Sequence, residues 1–283
     1  MEKVVVTGAS SGIGKATCKK LIENGYFVFG SVRKKTDAET LKNELGLNFI
    51  PLVFDVKNIS EIKLAAKVVE KKLSGNRLTA LINNAGIAVI GPLQYLPIED
   101  FRNQIEVKLF GTFACIQAFL PLLGSDQSLS GPPGRIINIS SALGGKIGAP
   151  FFGAYCSSKH ALEAMSETLR RELMIHGVKV SIIAPGAIAT PIWDKVNPSL
   201  EQQKYKNTEY KGPLNKALEL IQNLGKHGLS VEKVANKILI AIKAKNPKIK
   251  YYFFGDILLM LIYFLPTKFL DTRFSNYFGL KKD

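Results

Sequence analysis

Short apolar, β-branched runs alternate along the chain with longer segments in which apolar residues recur at helical spacing. The runs predict strands at Lys3–Thr7, Phe27–Val32, Phe49–Asp55, Ala80–Asn83, Gly134–Ser140 and Val178–Pro185, with a weaker one at Lys250–Phe253. Between them the period predicts helices over Ile13–Asn24, Asp37–Leu45, Ile59–Leu73, Ile98–Leu122 and Ala154–His176. Ser230 caps a further helix, with Glu232 in its first turn. Strands that are apolar throughout are buried on both faces, so the pattern predicts an α/β fold with a parallel sheet between two helical layers. Gly124–Gly134 reads as a surface loop, and Thr190 to about Gly228 as irregular and polar. One domain is expected over residues 1–283, with a core in 1–190 and a substrate lid and C-terminal segment in 191–283.

The first strand runs directly into a glycine-rich turn, "TGASSGIG", over Thr7–Gly14. Gly8 permits a tight turn, Gly12 lets backbone approach a pyrophosphate, and Gly14 lets the helix pack closely on the strand. Ser10, Ser11 and Ile13 complete the turn. Free N–H groups and the dipole at a helix start favour an anion there. A strand, this turn and a helix form the context of a dinucleotide site, on a doubly wound sheet of Rossmann type. The second strand ends in "SVRKK", without the carboxylate that would take a ribose 2′-hydroxyl. Arg33 lies there, nineteen residues after Gly14, and its planar fork suits a 2′-phosphate. NADP(H) is therefore expected rather than NAD.

Composition narrows the partners. Hydrophobic residues make up 46% and charged residues 22%, as in a folded globular chain. The net charge of +15 is compatible with nucleic acid, an anionic membrane surface or an anionic cofactor. The lysines are scattered and no aromatic-interleaved basic patch accompanies them, so nucleic acid is not expected. Cys18, Cys115 and Cys156 lack metal-binding spacing, and no leader precedes the first strand. A reducing, cytoplasmic setting is expected.

Three further motifs follow in order: "LINNAG" over Leu81–Gly86, "NISS" over Asn138–Ser141 and "YCSSK" over Tyr155–Lys159, before "PGAIATPI" over Pro185–Ile192. With the glycine turn, these resemble the short-chain dehydrogenase/reductase family over roughly residues 3–195. "NNAGIAVIGPL", "RRELMIHGVKV" and "PGAIATPIW" resemble its hydroxysteroid and retinol dehydrogenase members. The resemblance implies an oxidoreductase that interconverts an alcohol and a carbonyl, with an apolar substrate such as a steroid, retinoid or long-chain compound. It implies catalytic roles for Ser141, Tyr155 and Lys159, with Ser140 as rival to Ser141. Tyr155 and Lys159 stand four residues apart on one helix face. A nearby ammonium would lower the phenol's affinity for its proton and fit Tyr155 as a general acid or base. The resemblance further implies cofactor contacts at Asp55, Val56, Asn83, Ala85, Gly86, Pro185, Gly186, Ile188 and Thr190, with Lys159 on the nicotinamide ribose. It implies a homodimer or homotetramer formed through the helices of Ile98–Leu122 and Ala154–His176.

One position departs from the family. "IEVKLFGTF" carries Lys108 where these proteins have an asparagine that helps to hold a water near the active-site lysine. Lys108 either replaces that relay, or snorkels to solvent or a cofactor phosphate, or impairs turnover and leaves an NADP-binding sensor or scaffold. Near the C-terminus, Ile257–Leu265 is a run of nine apolar residues, too short to span a bilayer, for which about 20 are needed. It reads as a buried helix or subunit contact, or as a peripheral membrane contact through residues 254–270.

Overall fold

The computed structural model describes residues 1–283 apart from 143–146, 191, 194–195, 197, 254–260, 262–263 and 282–283. Seven parallel strands form one sheet: β1 (Lys3–Val6), β2 (Phe27–Val32), β3 (Phe49–Val53), β4 (Ala80–Asn83), β5 (Arg135–Ile139), β6 (Lys179–Pro185) and β7 (Lys250–Phe253). Their order is β3-β2-β1-β4-β5-β6-β7. The weakly patterned seventh strand is real; Tyr251 pairs with Ile183 at the sheet edge.

Helices cover both faces, as the uniformly apolar strands require. Val4, Val6 and Val28 pack with Cys18 and Leu21 of α1 (Gly12–Glu23), Leu41 of α2 (Lys35–Leu45) and Ile238 of α9 (Val231–Lys243). Val5, Phe29, Leu81 and Ile136 turn the other way. They meet Ile62 and Val69 of α3 (Ile59–Leu73), Ile116 and Phe119 of α5 (Gly111–Leu120) and Leu169 of α6 (Gly153–Glu172). Asn58 caps α3 by accepting a hydrogen bond from the Glu61 N–H at 3.2 Å.

The helix expected over Ile98–Leu122 is not uniform. It starts as α4 (Ile98–Ile105), widens into a π-turn at Glu106–Phe110, resumes as α5 and widens again at Pro121–Ser125. The first π-turn contains Lys108, and such widening is frequent at functional sites. The whole run Ile98–Ser125 is apolar enough to cross a membrane by length and composition, but it packs largely into the core.

The stretch expected to be irregular holds two helices, α7 (Pro198–Lys204) and α8 (Lys211–His227). Leu214, Ala217, Leu218 and Ile221 of α8 are buried at helical spacing against Tyr205, Phe151 and Phe152. A further helix, α10 (Thr267–Phe278), packs Phe278 against the Phe151 ring at 5.7 Å between centroids. Most of the apolar run Ile257–Leu265 lies outside the described residues.

Candidate active site

A cleft of about 890 Å³ opens at the carboxyl ends of the strands, where β1 and β4 lie side by side and the direction of winding reverses. This is where open α/β sheets bind ligands. The glycine turn forms one end. Gly8 and Gly12 have φ of +69° and +54°, left-handed values that disfavour a side chain. A Cβ on Gly14 would lie 2.1 Å from the Gly8 carbonyl oxygen, so only glycine allows this helix–strand approach. Thr7 Oγ1 accepts from the N–H groups of Asn84 and Ala85 at 3.0 and 3.1 Å. Asn84 Nδ2 donates to the Thr7 and Gly8 carbonyls at 3.1 Å each. The turn is thus tied to the end of β4.

The turn fits an anionic ligand. Ser11 precedes α1 without using its side chain as a cap, and the first turn of α1 has no acidic residue. Its N–H groups stay free for an anion. Arg33 lies on the same cleft wall as Ser10, Ser11, Gly12 and Ile13. Asp55 and Val56 line it further along; the Asp55 carboxylate accepts from the Lys57 N–H at 2.9 Å. Ala85, Gly86, Pro185, Gly186, Ile188 and Thr190 also line the cleft.

Three residues expected at the ligand do not reach the wall. Gly14 is buried in the helix–strand contact. Asn83 is buried, and its Nδ2 donates to Asn138 Oδ1 at 2.9 Å; Asn84 occupies the wall instead. Lys108 is 1% exposed, so the snorkelling expectation is corrected: its stem and amine lie inside the protein. The amine finds partners there, donating to the Ala85 and Asn83 carbonyls at 3.2 and 3.5 Å.

At the other end of the cleft, β5 and α6 bring Ser141, Tyr155 and Lys159 together. Ser141 and the Tyr155 phenol face the same cleft, and Ser141 acts to ease ionisation of the phenol. Lys159 Nζ is 5.3 Å from the Tyr155 ring centroid and donates to the Ile139 and Ser140 carbonyls at 3.0 and 3.2 Å. Ser140, the rival serine, turns away and donates to Glu163 Oε1 at 2.6 Å.

The electrostatics differ from the simple expectation. Burial pushes the Tyr155 phenol up to about 12, against the lowering influence of Ser141. Burial, and then the charge of Lys108, hold Lys159 well below the usual lysine range. Lys108 itself is lowered to about 8, mainly by burial. Burial thus outweighs what the neighbouring groups do to lower the phenol. Over Tyr155 stand Phe152 and Trp193, with centroids 6.5 and 6.4 Å away.

A family model described as short chain dehydrogenase matches residues 2–201. The chain belongs to the short-chain dehydrogenase family. It is 42% identical over 287 residues to an NADPH-dependent 3-dehydrocapnine reductase of Ornithobacterium rhinotracheale, covering 100% of this chain and 98% of that protein. It is 30% identical to retinol dehydrogenase 7 of Mus musculus, over 95% of this chain and 84% of the relative. A solved short chain dehydrogenase from Burkholderia cenocepacia J2315, in complex with NADP, superposes with a TM-score of 0.72 at 26% identity, covering 97% and 99% of the two chains. This short-chain dehydrogenase is thus an oxidoreductase acting on CH–OH groups, related to retinol dehydrogenases.

Sequence reasoning missed the wall that α10 gives the cleft through Arg273, Phe274, Asn276 and Tyr277. It also missed Asn84 and Glu163. Asn84 adjoins a residue that was considered; Glu163 looks like any helical charge until its distant partners are seen.

Proposed function

We propose that the protein is an NADP(H)-dependent oxidoreductase that interconverts an apolar alcohol and its ketone or aldehyde, with Tyr155 as general acid and base. The observation that carries this reading is that Ser141, Tyr155 and Lys159 line one cleft together with the glycine turn and Arg33, with Lys159 Nζ 5.3 Å from the Tyr155 ring centroid. The NADPH dependence of the 3-dehydrocapnine reductase and the NADP complex of the solved relative agree with it.

Ser10, Ser11, Gly12 and Ile13 would hold the pyrophosphate by backbone N–H groups, with Gly8 shaping the turn and donating its own N–H to Ser31 Oγ, and Arg33 would hold the 2′-phosphate. NADPH supplies the hydride when bound. Ser141 fixes the carbonyl oxygen of the substrate, and the Tyr155 hydroxyl delivers the proton to that oxygen. In the opposite direction Tyr155 takes the alcohol proton. Lys159 orients the cofactor ribose and, when charged, favours the phenolate. Phe152, Trp193 and Phe274 line the substrate side and exclude water, which suits a long-chain or polycyclic apolar substrate.

A second reading, an NADP-binding sensor or scaffold of low turnover, is favoured by the buried Lys108 beside Lys159. NADPH oxidation with 3-dehydrocapnine, retinal and long-chain ketones separates the two. Turnover that falls about 10²- to 10⁴-fold in Tyr155→Phe, with NADPH binding kept, supports the enzyme. Tight NADPH binding without turnover on any of these supports the sensor.

Oligomer and membrane contacts belong to the same proposal. Phe110 and Phe113, 54% and 40% exposed on the long helix, suit a homodimer or homotetramer interface. Leu261, Phe264 and Phe269 are exposed near Lys268 and suit peripheral membrane contact of a cytoplasmic protein.

A further inference from the structure

Glu163 stands on α6 one turn beyond Lys159, on the face that carries Tyr155 and Lys159. It is 8% exposed, and both carboxylate oxygens are engaged. Oε1 accepts from Ser140 Oγ at 2.6 Å, and Oε2 pairs with Lys250 Nζ at the start of β7. The Ser140 carbonyl in turn accepts from Lys159 Nζ. The end of β5 is therefore gripped from two sides, by Glu163 through a side chain and by Lys159 through the backbone.

The charges show why a carboxylate is needed there. Lys159 is faced by Tyr155 on its own helix, by Lys108 from the π-turn and by Glu163; Lys250 lies beyond Glu163, and Cys115 of α5 lies near Lys108. Lys108 disfavours charge on Lys159, and Glu163 favours it. Among the described residues facing these two buried amines, Glu163 is the carboxylate. A buried ammonium without a counter-charge is costly and tends to lose its proton.

We propose that Glu163 is a positioning residue of the active site: clamped between Ser140 and Lys250, it draws Lys159 towards the ammonium form against Lys108, and through Lys159 it sets how readily Tyr155 gives up its proton. This rests on the reading of Tyr155 as the general acid and base. A merely structural ion pair would affect stability and leave the Tyr155 proton unmoved.

The test is an NMR titration of the full-length protein carrying ¹³Cζ-tyrosine, in complex with NADP⁺, with the Tyr155 signal assigned by its loss in Tyr155→Phe. In Glu163→Gln the Tyr155 titration moves to higher pH by about one pH unit, the size expected for loss of one nearby charge. Glu163→Asp, which keeps the charge, titrates close to wild type. Lys108→Asn combined with Glu163→Gln moves the titration back towards wild type, because the competing amine is gone. Should Glu163→Gln fail to fold, Glu163→Met, of similar length and without an amide to bury, carries the same expectation. Identical behaviour in all variants, including a phenol that never ionises, overturns the proposal. Absence of turnover in wild type would sink the enzyme reading, whereas the titration still decides the role of Glu163.

Discussion

Lys108 and Lys159 are two buried amines, each anchored on strand-end carbonyls, and the charge of Lys108 bears on Lys159. Lys108 holds the end of β4 through Ala85 and Asn83; Lys159 holds the end of β5 through Ile139 and Ser140. The π-turn at Glu106–Phe110 carries the first amine into this position, and α6 carries the second.

Lys108→Met is expected to stabilise the protein at neutral pH. The folded value of about 8 lies below the ordinary 10.5, so the fold disfavours the charged amine. By linkage that preference corresponds to about 3 kcal/mol, present in full where both states are protonated. A base with a lowered folded value binds fewer protons folded than unfolded, so wild-type stability rises with pH from about 8 to 10.5. Urea denaturation at pH values below and above that window should show the advantage of Lys108→Met shrinking as pH rises. A constant difference would mean that the fold does not lower the proton affinity of the amine.

Arg33→Ala is expected to weaken NADPH binding about ten- to a hundredfold, the worth of a charge-assisted hydrogen bond to a phosphate. NADH binding should change little, because the role proposed for Arg33 is at the 2′-phosphate, which NADH lacks. Fluorescence titrations of both cofactors against both proteins measure this. An equal loss for the two cofactors would place the arginine elsewhere on the ligand.

What could be read in the sequence follows its local content. The inner strands were visible because burial on both faces leaves apolar runs with sharp ends, whereas the half-exposed edge strand β7 gave only a weak signal. The turn from Gly8 to Gly14 was visible because its chemistry is contained in eight residues. The region after Thr190 was misread, although Leu214, Ala217, Leu218 and Ile221 carry the spacing of a helix; Gly212, Pro213 and the surrounding polar residues obscured it. Glu163 could not be recognised, because Ser140 and Lys250 lie 23 and 87 residues away and meet it only in the folded sheet. The burial that dominates Tyr155 and Lys159 was hidden for a related reason: four-residue spacing shows that the two are adjacent but not how far they are enclosed.

Gly14→Ala tests whether the close approach of α1 to β1 is as tight as it looks. The new Cβ would meet the Gly8 carbonyl oxygen at 2.1 Å and Asn84 Nδ2 at 2.7 Å. Backbone must move, which costs about 1–3 kcal/mol and displaces the turn that would hold the pyrophosphate. The expected result is a lower Tm together with weaker NADPH binding. Unchanged affinity at lower Tm would show that the turn adapts independently of the helix.

Tyr205 offers the opposite case, a side chain whose polar end lacks a partner. Its ring is 1% exposed in the cluster beneath the substrate side of the cleft, and its hydroxyl, closely faced by Gly91, has no hydrogen-bond partner among the described residues. A buried hydroxyl without a partner costs about 1–3 kcal/mol relative to one that is paired. Tyr205→Phe removes the hydroxyl and keeps the ring, so stability should rise by about 1 kcal/mol or more. Thermal and urea unfolding of the two proteins compare directly. Destabilisation instead would mean that an ordered water satisfies the hydroxyl, and such a water would then belong to the floor of the substrate pocket.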